Sequence, residues 1–145
     1  MAQRRPIVIV SGQQQELPAG DSIKGDLAFA SVVIDGGGAA ITTGVKGDIG
    51  PFPFACEIEE VTALADQSGS IVIDVWKDSY ANYPPVDGDS ITASAPVTIS
   101  AAVKSQNATL TGWNKSIAAG DTLRFNVDSA ATIQRVTLTF KLRKT

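Results

Sequence analysis

Along this chain, apolar and polar residues alternate with a period of two in several separate places, the signature of strands with one buried face. The clearest run is Ser70 to Lys77, where Ile71, Ile73 and Val75 alternate with Val72, Asp74 and Trp76. A second runs from Ile133 to Arg143, with Val136, Leu138, Phe140 and Leu142 facing one way and Arg135, Thr137, Thr139, Lys141 and Arg143 the other. Phe29 to Ile34, Ile41 to Lys46, Phe52 to Ala65 and Leu123 to Val127 read as further strands. In Phe52 to Ala65 the alternation sets Phe54, Cys56, Ile58 and Glu60 against Ala55, Glu57, Glu59 and Val61, which places Cys56 in the core. A short helix over Glu57 to Asp66 is the alternative, because Ile58, Val61 and Leu64 also have near-helical spacing.

Turn formers divide these runs. Gly36 to Gly38, Gly47 to Pro51, Asp66 to Gly69 and the loop from Asp78 to Asp89 with its paired prolines all break regular pairing. Short strands are expected at Ser90 to Ser94 and Pro96 to Ser100, followed by a polar, Ala-rich stretch over 101–109. Ahead of them, residues 6 to 23 join a four-residue β-branched run to a Gln-rich segment and a Pro-Ala-Gly-Asp turn, too few alternating positions for a sheet face. The expectation is an all-β fold: a single β-sandwich, jelly-roll-like, over 28–145, with an extended N-terminal arm over 1–27. Ile7, Val8, Ile9, Val10, Leu17 and Ile23 are then the arm's partner-binding residues, since their apolar side chains need a surface to cover them; the alternative is that the segment docks on the main domain as a first strand of the same sandwich.

Composition narrows the chemistry. The chain has 145 residues, enough to bury a substantial core as one domain. It has one cysteine and no histidine, which excludes an intrachain disulfide and every Ser-His, Cys-His or His-metal arrangement. A net charge of -3 offers no basic field for a phosphate backbone, so no nucleic-acid partner is expected. Ile7 to Val10 is too short for a signal-peptide core or a membrane span, which points to synthesis in a bacterial cytoplasm with no membrane partner.

What remains is weak chemistry. Glu57, Glu59 and Glu60, or Asp74 with Asp78, are the carboxylates that a general acid/base pair would need, but alternating Glu is also how a solvated strand face reads. Asp35, Asp48, Asp66, Asp87 and Asp89 are oxygen donors in loops without a calcium-loop spacing, so neither a metal nor a cofactor is expected. Gly36 to Gly38 lacks the following Lys-Ser/Thr and helix of a phosphate loop. Arg135, Lys141, Arg143 and Lys144 read as a solvated face. Trp76, Tyr80 and Tyr83 lie close together, and Trp113 can join them from another loop; flat aromatic faces beside Asp and Asn suit a protein interface or a stacked sugar, and equally the capped end of a sandwich.

The phrase from Pro6 to Ile23, Pro-Ile-Val-Ile-Val-Ser-Gly-Gln-Gln-Gln-Glu-Leu-Pro-Ala-Gly-Asp-Ser-Ile, resembles the opening of tailed-bacteriophage fibre and head- or tail-attached proteins. The stretches Ile41-Thr-Thr-Gly-Val-Lys-Gly, Ala65-Asp-Gln-Ser-Gly-Ser-Ile-Val-Ile-Asp-Val-Trp-Lys-Asp and Leu110-Thr-Gly-Trp resemble a β-rich module of phage virion proteins. The resemblance implies a structural virion protein without catalytic residues. With an arm, a single domain and no shaft-forming repeat, it favours a capsid decoration, or cement, protein that binds the major capsid protein. A tail-fibre or baseplate module binding host-surface carbohydrate is the alternative. Phage symmetry implies a homo-oligomer, with a trimer favoured.

Overall fold

The computed structural model describes residues 6–17 and 25–145. The chain is all-β. It forms a two-stranded ribbon, β1 (Ile7–Val10) and β2 (Gln13–Glu16), and a seven-stranded antiparallel sheet. The strands of the sheet are β3 (Leu27–Asp35), β4 (Gly44–Ile49), β5 (Cys56–Ser79), β6 (Val97–Asn107), β7 (Ser116–Ile117), β8 (Asp121–Ala131) and β9 (Arg135–Lys144). Among the described residues the only helical turns are two single 3-10 turns, Tyr80–Asn82 and Asp87–Asp89. No helix there is long and apolar enough to cross a membrane.

The sheet is organised by β5, which is 24 residues long. Its first half pairs with β9, from Cys56 opposite Lys144 to Ala65 opposite Val136. Its second half pairs with β8, from Ser70 opposite Ala131 to Ser79 opposite Asp121. β3 extends the first half beyond β9, and β4 extends the second half beyond β8. On the other side of β5, β6 spans both halves, pairing Leu64 with Lys104 and Ile73 with Val97. The sheet therefore curls over along one line, marked by slipped register between Leu64 and Ile71 and by positive φ at Ala101 (47°) and Thr132 (75°). At that line Gly69 lies against the β8–β9 connection: a Cβ on it would sit 2.5 Å from the Ala131 carbonyl oxygen.

The curl brings the two halves' apolar faces together. Ile71, Ile73 and Val75 of β5, Leu123, Phe125 and Val127 of β8, and Val136, Leu138, Phe140 and Leu142 of β9 are all buried. Phe125 and Phe140, from opposite halves, meet with ring centroids 5.8 Å apart, a tilted aromatic pair. Cys56, 1% exposed, belongs to this core as expected.

Several expectations change. Asp66 to Gly69 is not a turn between strands; it lies within β5, with Gly69 paired to Ala102 of β6 and the Asp66 carboxylate accepting from the Gln134 and Arg135 N–H groups. Glu57 to Asp66 is strand rather than helix. A bulge between Ile58 and Glu60 slips the alternation by one, so Val61 and Ala63 go inward and Glu60 does not. Ser90 to Ser94 forms turns and one bridge, Ser90 opposite Trp76, while the polar stretch after Ser100 is strand as far as Asn107. The N-terminal segment is not simply extended. Ile7 pairs with Glu16 and Val10 with Gln13, closed by Ser11 (φ 51°) and Gly12 (φ 82°). Two central residues with positive φ make the type I′ turn whose twist matches a hairpin.

Candidate functional site

Two surfaces hold the residues singled out in the sequence. The first is the β1–β2 ribbon. Ile7 is 68% and Ile9 72% exposed, so two large aliphatic side chains stand on one face of a four-residue strand. Val8 is half-buried, Val10 pairs through its backbone with Gln13, and the Leu17 N–H donates to the Pro6 carbonyl at 2.9 Å, closing the ribbon's base. Ile23 lies outside the described residues.

The second is the loop that follows β5, and here the four expected aromatics divide. Trp76 and Trp113 are interior residues with satisfied indoles. The Trp76 Nε1–H donates to Asp74 Oδ2 at 2.8 Å, and the Trp113 Nε1–H to the Ala95 carbonyl at 2.8 Å. Both are over nine-tenths buried, so neither offers a face to a ligand. Asp74, on the strand face opposite Ile73 and Val75, anchors this corner. It also accepts from the Ser90 hydroxyl at 2.7 Å, the buried Thr92 hydroxyl at 2.5 Å and the Val75 N–H at 2.8 Å. Such a network holds the 90–95 turn against β5.

Tyr80 and Tyr83 remain outside, 70% and 46% exposed. The Tyr83 hydroxyl donates to Asp48 Oδ2 at 3.0 Å and accepts from an Arg124 Nη at 3.0 Å, and Arg124 closes the triangle on Asp48 with bonds of 2.7 and 3.1 Å. The guanidinium also lies 5.2 Å from the Tyr83 ring centroid, a cation–π geometry. The Arg124 hydrogen bond holds the Asp48 carboxyl below the usual carboxylate range, against the opposing pull of partial burial. An open depression of about 210 Å³ lies beside this triangle, lined by Asp48, Gly50, Pro51, Tyr80, Tyr83 and Thr122. Arg124 escaped notice in the sequence because it stands at a polar position of an alternating strand. Its Asp48 partner is 76 residues away.

The carboxylates are engaged individually. Glu57 pairs with Lys115 at 3.1 Å, Glu59 with Arg143 and with Lys141 at 3.6 Å, and Glu60 accepts from Gln106 Nε2 at 3.0 Å. The Arg143 bond pushes the Glu59 carboxyl down, the opposite of what a proton donor at neutral pH requires. The aspartates expected in loops bind backbone instead: Asp35 accepts from the Gly37 N–H at 2.6 Å, Asp89 from the Val86 N–H at 2.8 Å, and Asp66, within β5, from the Gln134 and Arg135 N–H groups at 3.1 and 3.0 Å. Among the described residues no three His, Cys, Asp or Glu side chains converge as a metal site. The basic cluster is partly spent as well, with Arg143 and Lys141 on Glu59 and Lys144 over the Phe54 ring at 4.7 Å.

Compared with protein-family models, with curated proteins and with solved structures, the chain finds no match.

Proposed function

We propose that this chain is a non-enzymatic structural protein of a phage virion, a capsid decoration protein that attaches through its N-terminal ribbon and stabilises the shell. The observation that carries this reading is the ribbon itself. An isolated two-stranded hairpin is at best marginal in water, yet this one leaves more than two-thirds of Ile7 and of Ile9 exposed to solvent. Such a device gains its stability when a partner covers the apolar face. The resemblance of Pro6 to Ile23 to phage attachment segments supplies the partner class, the major capsid protein. On this reading the two halves of the curled sheet act as the layers of a jelly-roll-like sandwich, the chain is made in the host cytoplasm and works in the virion as a homo-oligomer, and no nucleic acid, membrane or cofactor takes part. Attachment stabilises the shell by linkage: a protein that binds only the mature lattice adds its binding free energy at every site.

The test is cosedimentation of the full chain with mature shells, comparing the native sequence with an Ile7→Asp/Ile9→Asp variant. The variant is expected to lose attachment while its melting temperature stays unchanged, because both side chains are exposed. Attachment undiminished in the variant contradicts the reading.

A second reading, a tail-fibre or baseplate module that binds host-surface carbohydrate, is favoured by one observation: Tyr80 offers a free ring beside the Tyr83–Arg124–Asp48 triangle, whose polar atoms suit sugar hydroxyls. It expects Tyr80→Ala to abolish glycan binding without changing shell attachment. Glycan binding that survives Tyr80→Ala removes its basis.

A further inference from the structure

One end strand of the sheet lies close to β4 but is not paired with it. β3 is the end strand next to β9, and among the described residues nothing pairs with its other side. Its ladder with β9 is set by the Lys144 N–H donating to the Asp26 carbonyl at one end and the Gly36 N–H to the Gln134 carbonyl at the other. Even-numbered residues therefore turn their N–H and C=O toward β9, and Leu27, Phe29, Ser31, Val33 and Asp35 turn theirs outward. The same odd positions carry the exposed side chains, Leu27 57%, Phe29 75% and Val33 55% accessible.

Open edges in folded proteins are normally blunted by charge, a bulge or a kink. The other edges here are. β4 carries Lys46, Asp48 and a bulge between Val45 and Gly47, and β6 carries Lys104 and the positive-φ residue Ala101. From Leu27 to Ile34, β3 has none of these: its register with β9 runs unbroken over nine residues, and its one charge, Asp35, stands at the far end.

We propose that β3 is the interface with a second copy of this chain, the two β3 strands pairing antiparallel about a two-fold axis at Ser31. The strand is self-complementary in this register. Ser31 faces Ser31 of the second copy, Phe29 faces Val33, and Leu27 faces Asp35, so all five outward-facing residues find backbone partners. Phe29 against Val33 is the aromatic–β-branched pair that stabilises sheets, and the axis makes it twice. No like charges meet: Asp35 arrives beside Leu27, with its own neighbour Arg135 on one side and Arg143 two strands away on the other. The ribbon strand β1 is a poorer occupant, because its four residues would cover less than half of the edge. The result is one sheet continuous through both copies, whatever surface each copy attaches to.

The experiment is sedimentation equilibrium on the full chain, native and Phe29→Lys, with oxidative cross-linking of a Ser31→Cys variant. The native chain is expected to dimerise, and Phe29→Lys to raise the dissociation constant about tenfold or more, since it removes both copies of the Phe29–Val33 pair. Ser31→Cys is expected to form a disulfide-linked dimer, because hydrogen-bonded antiparallel partners have Cα atoms about 5.5 Å apart, within disulfide reach. Cys56 does not compete, being buried. A monomer under all conditions, a trimer, or a dimer indifferent to Phe29→Lys that does not cross-link at position 31 overturns the proposal.

Discussion

Gly69 is where the account of the fold is most exposed to refutation. The residue sits at the curl of the sheet without a positive φ, so its backbone conformation alone does not demand glycine. The demand is for space. A Cβ there would lie 2.5 Å from the Ala131 carbonyl oxygen, 2.8 Å from Ile133 Cγ1 and 3.1 Å from the Ile133 nitrogen. A comfortable carbon–oxygen approach is about 3.3 Å, so Gly69→Ala must push the β8–β9 connection away by several tenths of an ångström. Overpacking of this kind costs about 1–3 kcal/mol, from which about 0.4–1 kcal/mol is recovered through the stiffer unfolded chain. The net loss is about 1.3 kcal/mol at mid-range and about 2.6 kcal/mol at most. At an unfolding entropy of about 2.1 cal/mol/K per residue, that is a fall in melting temperature of about 4 °C at mid-range and about 9 °C at most. The assay is thermal unfolding followed by circular dichroism, with Gly88→Ala as control because a Cβ there meets nothing within 4 Å. The control is expected to stay within about 0.5 kcal/mol of the native chain. If Gly69→Ala melts no lower than Gly88→Ala, close approach at the curl does not constrain residue 69.

Three further outcomes follow from the same geometry. Asp74→Ala strips the acceptor from the Trp76 indole and from the Ser90 and Thr92 hydroxyls, and should cost about 2–4 kcal/mol in urea unfolding, whereas truncation of exposed Asp87 should cost almost nothing. The Asp48, Glu59 and Asp66 carboxyls are held down in the folded chain by Arg124, by Arg143 and by the Arg135 N–H respectively. Their stabilisation is therefore complete above the ordinary carboxylate range and drains away as pH falls below about 4 toward their folded values, so the urea midpoint should drop there and drop less in Asp48→Asn. Burial, with the nearby Asp121 charge, pushes the Cys56 thiol up, so the native chain should resist a thiol reagent at neutral pH and react once unfolded in denaturant.

Strand positions were legible in the sequence wherever one face is buried and the other wet. The alternation at Ile71 to Val75 and at Val136 to Leu142 states both the element and its inward face. What the local pattern misses is continuity. Asp66-Gln-Ser-Gly69 has the composition of a turn, yet it stays in β5 at the point where that strand's partner changes from β9 to β8, a long-range condition that no window of residues contains. The ribbon escaped for a different reason: Ser11-Gly12 is a two-residue hairpin signal, but the second strand, Gln13 to Glu16, has no apolar alternation to announce it. Of the aromatic group, proximity in sequence predicted neighbours but not exposure. Trp76 is drawn inside by Asp74, Trp113 by the Ala95 carbonyl, and only Tyr80 and Tyr83 remain at the surface. The Arg124–Asp48 pair depends on β4 lying beside β8, which topology alone decides.

The proposed attachment to a virion shell fixes how many copies of this protein a purified particle must carry. Quantitative mass spectrometry against the major shell protein and a tail-tube protein reads that number in one experiment. Decoration predicts a number in simple proportion to the shell subunit; absence from the particle, or a number that matches a single tail substructure, contradicts it.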